Sequence, residues 1–159
     1  MEQSPKSVAI TGASGYVGAR LLRKLEDEED ISKLVAIDTL PPAVPIRNMA
    51  AYRTNVTEPI DDPLSQHNVS TLVHLAFIAR RGRNRQEVDS IRETNLAALE
   101  SVLESSARAG VNHIVYLSSH TVYGAHADNP VPLTDAAPLR PIPDFPYGYD
   151  KFLSEQMLQ

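Results

Sequence analysis

A chain of 159 residues, 42% hydrophobic and 22% charged, has the length and balance of one globular domain with a sizeable core. Its net charge of −5 argues against a general nucleic-acid surface or an anionic membrane partner, since both need clustered Lys and Arg. It contains no cysteine, which excludes disulfides, thiolate metal sites and cysteine nucleophiles. It also has no apolar run near the roughly 20 residues of a membrane span and no signal-peptide core in Met1–Lys6, so a cytoplasmic location and no metal are expected.

The chain opens on a strand, turn and helix. Val8–Ile10 reads as a short buried strand, and after it Gly12-x-x-Gly15-x-x-Gly18 leads into a helix with Val17, Leu21, Leu22 and Leu25 on one face. The first glycine allows a tight reversal, the second leaves no side chain between backbone and ligand, and the third lets helix pack close to strand. The free N–H groups of the first helical turn then suit a diphosphate. The spacing is one residue longer than G-x-G-x-x-G, and three glycines can also serve only a tightly packed turn.

The acidic run Glu26–Asp30 opposes the negative end of the helix dipole, which places the helix end near Asp27. Leu34–Ile37 is a second strand, closing with Asp38 at about the 20-residue offset where a carboxylate meets the ribose of a bound dinucleotide. A carboxylate there accepts the 2′- and 3′-hydroxyls and repels a 2′-phosphate, favouring NAD over NADP. The alternative is an Asp that merely starts the turn before Pro41-Pro42.

Residues 39 to 50 read as a proline-rich loop, Ala51–Thr54 as a short third strand and Asp62–Gln66 as a weak helix. Thr71–Phe77 is the fourth strand. The cluster Arg80, Arg81, Arg83 and Arg85 fits a solvated loop better than an anion site. Arg85–Ala109 is the longest helix, with Val88, Ile91, Leu96, Leu99, Val102, Leu103 and Ala107 near helical spacing and Gly110 as its stop. Val111–Leu117 is the fifth strand. Gly124–Pro146 is a loop with six prolines, long enough to be functional or disordered, and Tyr147–Gln159 is helical. Strands alternating with helices at this pitch predict a parallel sheet covered on both faces. No repeat and no second domain is visible.

Tyr147 and Lys151 stand four apart at the start of the last helix, on one face. A phenol, which ordinarily titrates near pH 10, is a poor base at neutral pH, and an adjacent ammonium stabilises its phenolate. Tyr149 has Leu153 at the same offset, so only one frame works.

These stretches together resemble the N-terminal part of an extended short-chain dehydrogenase/reductase of the NAD-dependent epimerase/dehydratase family. The match rests on Thr11–Gly18, Asp38, His74-Leu75-Ala76-Phe77, Asn95, Ser118-Ser119-His120-Thr121-Val122-Tyr123-Gly124, and Tyr147 with Lys151. The resemblance implies a doubly wound α/β Rossmann fold with five parallel strands in the order 3-2-1-4-5 and NAD as cofactor. It implies cofactor contacts at Gly12, Ser14, Gly15, Tyr16, Val17, Gly18, Asp38, Asn55, Val56, Leu75, Ala76, Phe77, Asn95, Ser118, Tyr147 and Lys151. Ser119 would hydrogen-bond the substrate oxygen, Tyr147 would exchange the proton, and Lys151 would favour the phenolate and hold the nicotinamide ribose. The implied substrate is a small molecule, foremost a nucleotide sugar.

Some positions depart from the family pattern. Asn55-Val56 stands where an Asp and an aliphatic residue usually meet the adenine, and Phe77 replaces a small residue. His120-Thr121 replaces the Asp-Glu pair of sugar dehydratases, which disfavours dehydration, and His120 itself reads as a half-exposed structural histidine rather than a proton carrier. The chain also stops before the last strands and the substrate lobe of that family, so residues 1–159 are expected to be the NAD-binding part of a longer enzyme. A homodimer through the two long helices is expected. Two further readings remain: a dinucleotide-binding regulator without chemistry, and a dehydrogenase or reductase of steroid-like or flavonoid-like alcohols.

Overall fold

A computed structural model describes residues 6–159, so the expectation about a leader, which falls on Met1–Pro5, lies outside them. Five strands form one parallel sheet: β1 (Lys6–Thr11), β2 (Ile31–Asp38), β3 (Met49–Arg53), β4 (Thr71–His74) and β5 (His113–Tyr116). Their order is β3-β2-β1-β4-β5, as the resemblance implied. The helices are α1 (Tyr16–Leu25), α2 (Asp61–Gln66), α3 (Arg85–Ala109) and α4 (Pro146–Met157), with a 3-10 turn at His120–Tyr123 that sequence reading did not foresee. The chain divides into two units.

The first unit runs up to Phe77 and includes Ala97–Leu117, and it contains the whole sheet. Strand residues alternate between faces. Ala9, Val35, Ile37 and Leu72 pack with Ile60, Leu64, Ala98 and Val102, so α2 and the C-terminal part of α3 cover one face. Val8, Ile10, Leu34 and Ala36 pack with Leu22, Leu21 and Leu25 of α1 on the other. Each face removes continuous Val, Ile, Leu and Ala surface from water, as a doubly covered parallel sheet requires.

Several boundaries shift for local reasons. β4 stops at His74 rather than Phe77 because the chain wraps around Thr11: the Leu75 N–H donates to the Thr11 carbonyl at 3.2 Å and the Ala76 N–H to its hydroxyl at 3.4 Å. β5 starts at His113 because the Val111 N–H is spent closing α3 on the Ser106 carbonyl at 2.9 Å. Val17 does not join the buried face of α1. It is 46% exposed, and Gly18 takes that position. Ala107 is likewise exposed, while Ser105 and Ser106 are buried. Ser105 is there for its hydroxyl, which accepts the Ile60 N–H at 3.0 Å and closes the start of α2.

The second unit comprises Ile78–Leu96 and Ser118–Gln159. Its proline-rich loop has a hub in Arg140. The Arg140 N–H donates to the Val122 carbonyl at 3.1 Å, its carbonyl accepts His126 Nε2 at 2.8 Å, and its guanidinium binds Asp128 at 2.9 Å and Asn129 at 2.7 Å. Gly124 turns the chain into this loop at φ 68°, a conformation that favours glycine, and a side chain there would collide with the Arg140 carbonyl.

Candidate functional site

In the first unit the site begins where β1 meets α1. Gly12 has φ 68°, and a Cβ on it would lie 2.7 Å from the Ala76 nitrogen, so this glycine is required by both turn and neighbour. A Cβ at Gly18 would strike the Gly12 carbonyl and come within 2.7 Å of Ala13 Cα, which is the close helix packing expected of the third glycine. Gly15 differs: a Cβ there meets nothing nearer than the Gly12 carbonyl at 3.3 Å, and its φ is −71°. The chain crowds this glycine far less than the other two, a Cβ needing the Gly12 carbonyl to give by only a few tenths of an ångström. Gly15 caps α1 without a side chain, no acid stands in the first turn, and Tyr16, 75% exposed, lies under the Arg20 guanidinium.

Asp38 serves the turn that the alternative reading expected, since its Oδ1 accepts the Leu40 N–H at 3.0 Å. Its Oδ2 also accepts the Ser14 N–H at 3.0 Å, and the Ser14 hydroxyl donates to the Leu40 carbonyl at 2.8 Å. The polar groups of Ser14 are thus engaged within the chain. An ionised carboxylate offers about four acceptor sites, so Asp38 retains capacity for a ligand hydroxyl. Asn55 opens a turn by accepting the Thr57 N–H at 3.2 Å, and Val56 is buried in the core. Leu75, Ala76 and Phe77 follow β4 and are half-buried. Under them, Thr11 Oγ1 and His74 Nδ1 stand 2.7 Å apart, and the His74 ring stacks on Tyr116.

In the second unit, Asn95 is buried and spent on the backbone of Ile78: its Oδ1 accepts the Ile78 N–H at 2.8 Å and its Nδ2 donates to the Ile78 carbonyl at 3.2 Å. Ser118 donates its hydroxyl to Glu155. Ser119 caps the 3-10 turn, and its Oγ accepts from the Thr121 hydroxyl at 2.9 Å and from the Thr121 N–H at 3.3 Å. Its own proton is therefore directed away from Thr121. His120 is exposed rather than half-exposed.

Pro146 starts α4 and places Tyr147 in its first turn, edge-on to Phe145. Tyr147 lines a cleft of about 480 Å³ with Ile78–Gly82, Val88, Ile91, Asp144–Pro146 and Asp150. Gly148 lets the helix approach Thr121, because a Cβ there would lie 3.1 Å from the Thr121 carbonyl. Lys151 is 4% exposed, and burial pushes its ammonium down to about 8 against the attraction of Glu155. The arginine cluster is a solvated loop, with Glu87 holding Arg80 and Arg83 and Asp89 facing Arg85. Among the described residues no three His, Asp or Glu side chains gather as a metal site, and no helix is long and apolar enough to cross a membrane.

The model of the NAD dependent epimerase/dehydratase family matches residues 8–159. A UDP-glucose 4-epimerase of Azospirillum brasilense is 30% identical over 98% of this chain and 44% of its own length, and one of Erwinia amylovora is 27% identical over 96% and 48%. The chain thus spans about half the length of the curated relatives it matches. Among solved structures, MoeE5 in complex with UDP-glucose and NAD superposes with a TM-score of 0.79 at 26% identity, covering 95% of this chain and 47% of that one.

Proposed function

Because the chain belongs to the NAD-dependent epimerase/dehydratase family, we propose that the full-length protein is an NAD-dependent epimerase or oxidoreductase acting on a hydroxyl or keto carbon of a nucleotide sugar. The observation that carries this reading is Lys151, buried one helical turn after Tyr147, with Tyr147 on the wall of the 480 Å³ cleft. The names of the relatives support the nucleotide sugar.

The residues fit NAD. The looser packing at Gly15 and the uncapped start of α1 suit a diphosphate on the amides of Tyr16, Val17 and Gly18. Asp38 suits the adenosine ribose, Asn55 and Val56 the adenine edge, and Lys151 the nicotinamide ribose. When bound, NAD supplies the hydride acceptor and donor. Ser119 donates its free proton to the substrate oxygen. Tyr147 exchanges the proton of that oxygen as general base and acid, and Lys151 stabilises its phenolate. Leu75, Ala76, Phe77, Asn95 and Ser118 are the further cofactor contacts in this reading.

Tyr147→Phe in the full-length protein tests the reading by assaying interconversion of UDP-glucose and UDP-galactose. The expected loss is about 100-fold or more, the usual worth of a positioned proton carrier. Unchanged turnover would overturn it, and tight NAD binding without turnover in the unaltered protein would favour the regulator. The same reading makes the protein a cytoplasmic homodimer, which a monomeric mass by light scattering would contradict.

A further inference from the structure

Asp150 lies between Tyr147 and Lys151 on α4 and is 2% exposed. Its Oδ1 receives Arg92 Nε at 2.6 Å, while Arg92 also sits 3.7 Å from Asp89 and 5.2 Å over the Tyr149 ring. Arg92 belongs to the first part of α3, so this ion pair is a cross-link between two elements that are far apart in sequence. A second link holds the other side of the helix: Glu155, two turns beyond Tyr147 on the Tyr147–Lys151 stripe, receives the Ser118 hydroxyl. Successive helical residues point 100° apart. A helix held at Asp150 on one side and Glu155 on the other therefore has its rotation fixed.

We propose that Arg92 and Asp150 are a positioning pair whose contact sets the rotation of α4 and thereby the stance of Tyr147 and Lys151. The inference rests on the catalytic reading of those two residues. A buried carboxylate without its guanidinium would take up a proton or turn toward water, and either response lets the helix turn. Displacements of about 1 Å in a reacting group can lower turnover about 100-fold.

Glu155 acts on Lys151 from α4 itself, Arg92 and Asp89 of α3 face Asp150, and the titratable residues of the 3-10 turn packed against α4 are His120 and Tyr123. Three variants of the full-length protein separate positioning from general stability. Arg92→Lys keeps the charge but loses the planar fork, Asp150→Asn loses the charge, and Ser154→Ala loses only the 2.9 Å bond from the Ser154 hydroxyl to the Asp150 carbonyl. Arg92→Lys and Asp150→Asn should lower kcat about tenfold or more with NAD affinity within about threefold. Arg92→Lys, in which the Asp150 carboxylate stays, should also move the titration midpoint of Lys151, read by NMR of 13Cε-labelled lysine, toward its ordinary value as the turned helix lets water reach it. Ser154→Ala should change neither.

If Asp150→Asn does not fold, Arg92→Lys decides alone. In an active protein, an unmoved kcat or an unmoved midpoint overturns the proposal, as does a Ser154→Ala variant that matches Arg92→Lys. An unaltered protein without turnover would sink the proposed function instead, and the Lys151 midpoint alone would then decide this inference.

Discussion

The Ser14 N–H donates to Asp38 Oδ2 at 3.0 Å, which ties the glycine turn to the end of β2. The same carboxylate accepts the Leu40 N–H, so one side chain organises two turns. Asp38→Ala removes both acceptors and leaves those amides to water. The expected cost is about 1–2 kcal/mol of stability, measured by urea unfolding. The variant should also lose its discrimination against the 2′-phosphate, so calorimetry should show NAD binding about tenfold weaker and NADP gaining on it. A variant that keeps a strong NAD preference would remove Asp38 from the ribose site.

The three glycines answer to different constraints, and alanine separates them. Gly12→Ala needs a side chain at φ 68° with its Cβ 2.7 Å from the Ala76 nitrogen, and Gly18→Ala drives one into the Gly12–Ala13 backbone. Each should cost about 3 kcal/mol or more. Gly15→Ala meets only a 3.3 Å contact at an ordinary φ, so the fold should tolerate it to within about 1 kcal/mol. NAD affinity should nevertheless fall about tenfold or more, because the methyl group enters the space proposed for the diphosphate. Equal NAD binding by Gly15→Ala would place that group elsewhere.

The contrast between Gly15 and Gly18 also marks how far the sequence could be read. The T-G-x-x-G-x-x-G spacing and the apolar runs made the strand, turn and helix legible, because they reflect local backbone needs and burial on both faces of the sheet. Strand order came only with the family resemblance. Val17 and Ala107 were misplaced because helical periodicity counts hydrophobic letters. At those turns the buried positions belong to Gly18, chosen for size, and to Ser105 and Ser106, one of which caps α2. The tyrosine–lysine spacing was visible as a pattern, but the Arg92–Asp150 contact was not, since 58 residues separate its partners. Asp150 carries no motif of its own inside Tyr-x-x-x-Lys. Its only local signal was a charge between two residues of a buried stripe.

Lys151 gives the chain a pH dependence of definite sign. Its folded value is about 8 against an ordinary 10.5, first because of burial. Between those values the unfolded chain keeps a proton that the folded chain has released, so stability rises with pH across that window. Below pH 8 the whole cost of the buried ammonium is carried. Lys151→Met should therefore be more stable than the unaltered protein at pH 7 by about 1–3 kcal/mol, and the gap should close as pH rises toward 10.5. Urea unfolding at pH 7, 9 and 10 measures this. A Lys151→Met variant that is less stable at pH 7 would mean that the contacts of Lys151 outweigh the cost of its burial.

Glu87 governs the arginine loop that forms part of the cleft wall. It accepts the Arg83 N–H at 2.8 Å and binds the Arg80 and Arg83 guanidiniums, while its own N–H is capped by Asn84 Oδ1 at 2.9 Å. These contacts, the Arg83 amide first, hold its carboxyl down at about 2. A lowered carboxylate stabilises fully above its ordinary value of 4.5 and loses that contribution as pH falls through 2. The loop should therefore stay closed at pH 4, where an ordinary Glu is largely protonated. Glu87→Gln should open it at neutral pH, raising amide exchange over residues 79–84 about tenfold and weakening sugar-nucleotide KM more than kcat, because Arg80 and Arg81 line the cleft beside Tyr147. Unchanged exchange in that variant would show that the backbone clamp of Asn95 on Ile78 holds the loop by itself.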